Sequence, residues 1–455
     1  MSGRRVWLGL LLTAAMSAAA SAPATAADPS RTPRPLAAAA AGTDVAVGVP
    51  HWNGGVGAVD AVRWNGGHSL LTTANLGLGP GVAGDRFGAA VAVQDLNGDG
   101  YRDLVVGAPG RGGTGAAYLV LGGADGRSAG VRALPFPALP GDDFGAAVAM
   151  TFADAAMWVY VGAPGRNVSG HADAGAFVQY RIGPADEGGV SIRVLATVTQ
   201  DSPLIPDAAE TGDRFGEVLA PGRGVVVGTP LEDVGRAVDA GIVTDIAFGE
   251  GQLYSQDTRG IPGAPESGDR FGAAIAGEYV GVPGEDVGRI RDAGLVQRWN
   301  PVNPRRDIAA FSQSTPGVPG ASEAGDRFGS ALAAGSISAP FALDLVVGAP
   351  GEDVGRAADA GVVTVVSATP GGPADTIRQG DDLPGAPEAG DRLGASLEGL
   401  LIGAPGEDLG DVRDAGVLHV ARPLSPLPRV LTLSTGPAAG ARFGSVTDSV
   451  FTPAG

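Results

Sequence analysis

The chain has 455 residues, 44% of them hydrophobic and 18% charged, which is too apolar for a mostly disordered protein. A formal charge of -18, with every basic residue an arginine, disfavours nucleic acid and anionic membrane surfaces as partners and favours cations and basic ligands. The absence of cysteine excludes disulfides, thiolate metal sites and a cysteine nucleophile.

Residues 1–26 read as an export signal: Arg4 and Arg5 supply the positive end, Val6 to Ala20 the apolar stretch, and Ala24-Thr25-Ala26 a small-residue cleavage site. The apolar stretch is short and no second long one follows. The expectation is therefore a secreted, extracellular protein with no membrane insertion after signal cleavage. The paired arginines leave the route, general secretory or twin-arginine, open. Residues 27–42, rich in Pro and Ala, read as a flexible leader. From there to residue 455 the chain alternates short Val/Leu/Ile/Ala runs with turns of Gly and Pro, the pattern of many short strands with little helix.

Two elements recur through this region. One is GDRFG or a variant, at Gly84–Gly88, Gly141–Gly145, Gly212–Gly216, Gly268–Gly272, Gly325–Gly329, Gly390–Gly394 and Gly440–Gly444. The other is an apolar run ending in Gly-x-Pro, at Val47–Pro50, Val106–Pro109, Val161–Pro164, Val227–Pro230, Val280–Pro283, Val347–Pro350 and Ile402–Pro405. Each occurs seven times at the spacing of propeller blades. The chain opens on a Gly-x-Pro run without its FG element and closes on an FG element without its Gly-x-Pro run. The two halves complete one blade, so the fold class is all-β, a seven-bladed β-propeller closed by pairing of its N- and C-terminal strands. The blades fall near 43–79 plus 440–455, 84–139, 141–209, 212–266, 268–323, 325–388 and 390–438. In the best-preserved repeat the four strands are expected at Phe87–Val93, Leu104–Gly107, Ala116–Leu121 and Val131–Leu134. The FG and Gly-x-Pro residues are read as structural, the glycines allowing close backbone approach and the Phe or Leu filling a gap between blades.

The paired elements resemble the FG-GAP repeats of the integrin alpha-chain propeller and its bacterial relatives, over nearly all of the chain after about Gly42. The resemblance implies an extracellular recognition or adhesion module that binds a protein or glycan ligand.

Between the first two strands of the second blade lies Asp95-Leu96-Asn97-Gly98-Asp99-Gly100-Tyr101-Arg102-Asp103. Side-chain oxygens at positions one, three, five and nine, a Gly at six and a backbone carbonyl from Tyr101 at seven suit calcium, which takes six to eight oxygens. Val106 stands where an EF-hand carries its bidentate Glu, and strands flank the loop, so it is not an EF-hand. Asp95, Asn97, Asp99 and Asp103 fall on the ligand positions of FG-GAP calcium loops. Other blades keep only single acidic residues such as Asp154 and Asp344, so one Ca2+ is expected.

The loops after Gly-x-Pro repeat as LEDVGRAVDAG (Leu231–Gly241), GEDVGRIRDAG (Gly284–Gly294), GEDVGRAADAG (Gly351–Gly361) and GEDLGDVRDAG (Gly406–Gly416). Strand order puts them on the face of the ring opposite the calcium loop. Their pairs Glu285-Asp286, Glu352-Asp353 and Glu407-Asp408 form a cation or basic-ligand rim, or else pair with Arg270, Arg327 and Arg392 or cap the hairpins. No GxSxG, HExxH or phosphate-cradling loop is present, and the four His are scattered. The expectation is a monomeric binding module with no catalytic residues. The alternatives are a secreted carbohydrate-active or ester hydrolase working through carboxylates, or a purely structural scaffold.

Overall fold

A run of Val, Leu and Ile favours extended backbone, and the proline that follows has no amide to continue a ladder, so each Gly-x-Pro run makes a strand with a fixed end. The structure, a computed structural model, describes residues 45–63, 67–123, 128–153, 156–185, 189–203, 205–247, 250–298, 310–335, 344–367, 374–399, 401–421 and 430–449. The signal and leader expected at 1–42, and Asp154, lie outside these residues.

The described strands form seven four-stranded antiparallel sheets. Blade one consists of Val446–Ser449, Val45–Val49, Ala58–Val62 and His68–Leu71 in that spatial order. The last strand of the chain pairs with the first in the register Val45↔Ser449 to Gly48↔Val446, which is the closure expected from the split repeat. Blade two is Ala90–Gln94, Asp103–Ala108, Ala116–Leu121 and Gly130–Ala133. The inner strands of blades three to seven are Val148–Ala153, Val218–Pro221, Ala274–Ala276, Ala331–Gly335 and Ser396–Glu398. Each inner strand touches the next around the ring, and that of blade seven touches Val446–Ser449 of blade one.

The first strand of blade two starts at Ala90, three residues later than the sequence suggests, because Phe87 and Gly88 are engaged elsewhere. Arg86 and Gly88 both have positive φ (53° and 88°), turning the chain into the strand. The Phe87 amide donates to the carbonyl of Val56 in blade one (3.1 Å), and the Gly88 amide to Gly107 in its own blade (2.8 Å). The FG element is thus a docking turn that precedes the strand. The other three strands of this blade lie within one residue of expectation.

This seam recurs around the ring. Between blades five and six the amides of Gly325, Arg327 and Phe328 donate to the carbonyls of Arg291, Asp292 and Ala293 (2.9–3.1 Å). Between blades seven and one, Gly440, Arg442 and Phe443 do the same to Arg413, Asp414 and Ala415. The ends of the post-proline loops, Asp-Ala-Gly in blades three to seven, Gly55-Val56-Gly57 in blade one and Gly113-Thr114-Gly115 in blade two, are therefore half of each blade-to-blade contact. A second feature locks the seam. The glycine of every Gly-x-Pro run lies against the FG carbonyl of the next blade, so that a Cβ on Gly48, Gly107, Gly162, Gly228, Gly281, Gly348 or Gly403 would overlap that oxygen. The side chains Phe87, Phe144, Phe215, Phe271, Phe328, Leu393 and Phe443 are at most 2% exposed, and each anchors one of seven inter-blade apolar clusters.

The seam makes one glycine far less replaceable than its neighbour. Gly281→Ala must push the Gly329 carbonyl aside and is expected to cost roughly 2–4 kcal/mol. Gly288→Ala in the same blade, where φ is +70° and nothing lies within 4 Å, should cost only about 1 kcal/mol. Denaturant midpoints of the two variants check this; equal shifts would contradict the seam.

Candidate functional site

The loop Asp95–Asp103 joins Ala90–Gln94 to Asp103–Ala108, at the end of blade two opposite the FG turns. Positive φ at Gly98 (75°) and Gly100 (89°) lets it double back on itself. The Asp95 carboxylate accepts the amides of Gly98 (2.8 Å) and Gly100 (3.0 Å), Asn97 Oδ1 accepts that of Asp99 (3.1 Å), and Asp99 Oδ1 that of Tyr101 (2.8 Å). Asn97 also donates through Nδ2 to Asp99 Oδ2 (2.9 Å). Asp103 is fully buried and accepts the amides of Leu96 and Gly122 (2.8 and 2.9 Å). Asp344, equally buried, begins the same Asp-Leu-Val-Val-Gly-Ala strand in blade six, where the sequence before it lacks the Asp-x-Asn-x-Asp pattern.

Among the described residues no three acidic or imidazole groups converge on one point. The chemistry of the donor set nonetheless fits a hard divalent cation: three carboxylates and an amide oxygen share one loop, while Arg102 turns away to Gln94 (3.0 Å). Burial, with Asp99 and Asp95 nearby, pushes Asp103 up to about 6. The loop opens on a groove of about 720 Å³ between blades two and three, so an ion has an entry path from solvent.

On the opposite face the structure divides each acidic pair. Asp286, Asp353 and Asp408 accept the amides of Asp292, Asp359 and Asp414 (2.8–3.0 Å), capping their own loops. The glutamates turn inward instead, and among the described residues no ion pair joins them to Arg270, Arg327 or Arg392. Glu232, Glu285, Glu352 and Glu407 each accept a hydrogen bond from the Nε2 of a buried glutamine, Gln200, Gln256, Gln313 and Gln379 respectively, at 2.5–2.6 Å. Each glutamate also feels the buried aspartate of its own blade's GDR turn, Asp213, Asp269, Asp326 or Asp391. Those four aspartates are 1–2% exposed and accept the amide three residues upstream.

Sequence reasoning missed this Gln–Asp–Glu niche. Its signal was a glutamine twelve or thirteen residues before the GDR aspartate in these four repeats, across a blade boundary, followed each time by a Pro and by a Glu three residues before that aspartate. Burial first, then neighbouring carboxylates, push the four aspartates up to about 6 and Glu285, Glu352 and Glu407 up to about 7. Glu232, which also has Asp207 beside it, rises to about 9.

The residue before each FG pair has positive φ (52–60°): Arg86, Asp143, Arg214, Arg270, Arg327, Arg392 and Arg442. These positions lead into the inner strands and form a circle on this face. Asp143 reaches Arg86 (3.9 Å) and Arg214 (3.6 Å) across the neighbouring blades, while among the described residues the other four arginines face no carboxylate at ion-pair distance.

A family model for the FG-GAP repeat matches residues 87–120, which hold the FG turn, the calcium-type loop and the Gly-x-Pro strand of blade two. No curated protein matches the chain. The repeat match and the seven-bladed ring together fit an integrin-alpha-like FG-GAP propeller.

The niche carboxyls keep, in the folded chain, protons that the unfolded chain releases near pH 4. The stability they add is therefore complete below about pH 4, and it is lost as pH rises through about 6 to 7, with Glu232 extending the loss toward about 9. With chelator present, the melting temperature is expected to fall by several degrees between pH 6 and pH 9, and less so in Glu232→Gln. A flat profile would show that these carboxyls do not titrate in the folded ring.

Proposed function

We propose that this chain is an extracellular recognition module of the integrin-like FG-GAP type, which carries calcium in the Asp95–Asp103 loop and binds an anionic protein or glycan without transforming it. The observation that carries the reading is the arginine circle. On a chain of net charge -18, six of seven equivalent positions around one face are arginine; the seventh, Asp143, offsets two of them, and Glu217 also pairs with Arg214 (3.1 Å). Several guanidiniums held by a rigid ring suit carboxylate or sulfate groups presented in series. On the same face Asp286, Asp353 and Asp408 serve loop amides and Glu285, Glu352 and Glu407 the niche, so these acidic pairs do not neutralise the arginines, which supports an anionic partner. FG-GAP repeats are typical of extracellular domains, and among the described residues no helix is long and apolar enough to cross a membrane.

Asp95, Asn97, Asp99 and Asp103, with the Tyr101 carbonyl, would hold the ion. A bound cation would relieve the mutual repulsion of the three carboxylates and fix the loop at the mouth of its groove.

Terbium replaces calcium at oxygen sites, and an aromatic ring beside it sensitises its emission. Tyr101 should give such emission, displaced by Ca2+ and lost in both Asp99→Ala and Tyr101→Leu; emission unchanged by Asp99→Ala would place the ion elsewhere. For the circle, binding of the intact chain to a sulfated polysaccharide is expected to weaken tenfold or more in Arg327→Ala/Arg392→Ala, while a neutral polysaccharide does not bind. Hydrolysis of either polymer by the pure protein, or binding that ignores the arginines, would overturn the recognition reading.

A further inference from the structure

The seven blades solve one packing problem in three ways. The niche lies between the GDR turn and the second residue after Gly-x-Pro. In blade one it is apolar: Ala441 replaces the turn aspartate, and Trp52 stands at the post-proline position, both packed in the same cluster. In blades two and three it holds an ion pair, with Arg111 Nη1 at 2.5 Å from Asp85 and Arg166 Nη1 at 2.6 Å from Asp142. Arg111 also donates to the backbone carbonyls of Leu78 (2.7 Å) and Pro80 (3.4 Å), and Arg166 to that of Pro137 (3.2 Å). The niche in these two blades is thus lined by oxygen and filled by a cationic group.

In blades four to seven the aspartate remains and the arginine is replaced by glutamate. A niche that is neutral in three blades would carry two negative charges in four, and no basic side chain reaches it among the described residues. The glutamine added in these blades alone is the second clue. Gln200, Gln256, Gln313 and Gln379 are 0–3% exposed, and their amides lie on the glutamate carboxylate. In all four the amide oxygen Oε1 has no hydrogen-bond partner. A buried acceptor without a donor is costly, and the same omission in four blades calls for a positive ligand at that point. Two carboxylates and an amide oxygen are the hard donors that calcium prefers, and its tolerance of irregular geometry suits a niche completed by water.

We infer that the Gln–Asp–Glu niches of blades four to seven are four further sites for a hard divalent cation of the calcium type, each ion standing where blades two and three place a guanidinium. The sites are separate from the Asp95–Asp103 loop, on the other face of the ring. They predict more bound metal than one loop can hold. Burying two carboxylates without a counter-charge is strongly unfavourable, so a niche without an ion must take up protons, and only two of them make it neutral.

The two states are separated by counting metal. The full chain is stripped with chelator, dialysed against radioactive Ca2+ at pH 8, and the bound calcium measured in wild type and in Asp99→Ala, which removes the loop. Asp99→Ala is expected to retain bound calcium, up to four ions per chain. Adding Glu352→Arg should lower the count by one without unfolding the ring, because blades two and three already accommodate an arginine there. Should Glu352→Arg fail to fold, Glu352→Gln keeps the shape, and tenfold weaker binding at one site is the expected result. No bound calcium in folded Asp99→Ala, or a count that ignores both Glu352 variants, would overturn the inference and leave the niches as proton-sharing pairs.

Discussion

Everything in this ring depends on how closely two backbones approach at the blade boundaries. At each of seven seams a glycine in the second strand of one blade lies against the FG carbonyl of the next, and amides of the GDRFG turn donate to carbonyls of the preceding blade's post-proline loop. Backbone hydrogen bonds of this kind need no particular side chain beyond the glycines and the left-handed turn residues, which is why the motif can recur while the strands between vary. The wedge of Phe or Leu then removes from water the apolar faces that the seam brings together. Among the described residues there is no single central core. Their apolar packing is divided among seven inter-blade clusters and a small eighth of Val168, Ala174 and Ala209, so the stability of the ring is close to a sum over neighbouring pairs.

The architecture was legible because the seam writes itself into the sequence. Seven FG and seven Gly-x-Pro elements, offset by half a repeat, fix both the number of blades and the closure between Val446–Ser449 and Val45–Val49. The start of the strand at Ala90 was not legible, since the alternating pattern cannot show that Phe87 serves the neighbouring blade. Nor could the sequence say which member of Glu285-Asp286 turns inward. That depends on whether a loop amide, here that of Asp292, is placed to capture the shorter side chain.

The two faces divide the electrostatic work. On one, the Asp95–Asp103 loop gathers carboxylates that answer first to their own amides, with Asp103 buried and held by the amides of Leu96 and Gly122. On the other, the arginine circle is exposed while carboxylates of the same blades lie beneath it. The contrast between Arg111 and Glu232 at equivalent places shows how one backbone niche accommodates opposite charges when a single glutamine is supplied from the preceding linker. Charge here follows the occupant of the niche and leaves the backbone unchanged.

The pairing of Val446–Ser449 with Val45–Val49 also orders events in time. Until residue 446 has been made, the second strand of blade one has a bare inner edge, and the Gly403 seam has no FG carbonyl to meet. Contacts across some four hundred residues of chain form slowly, because a very long loop must close first. Six blades can therefore assemble as an open arc before the circle shuts. A chain that stops short of Val446 keeps an unpaired Val-Ala-Val-Gly-Val edge. Such an edge is a template for other strands, so the last few residues act as the catch that separates a finished ring from an aggregation-prone one.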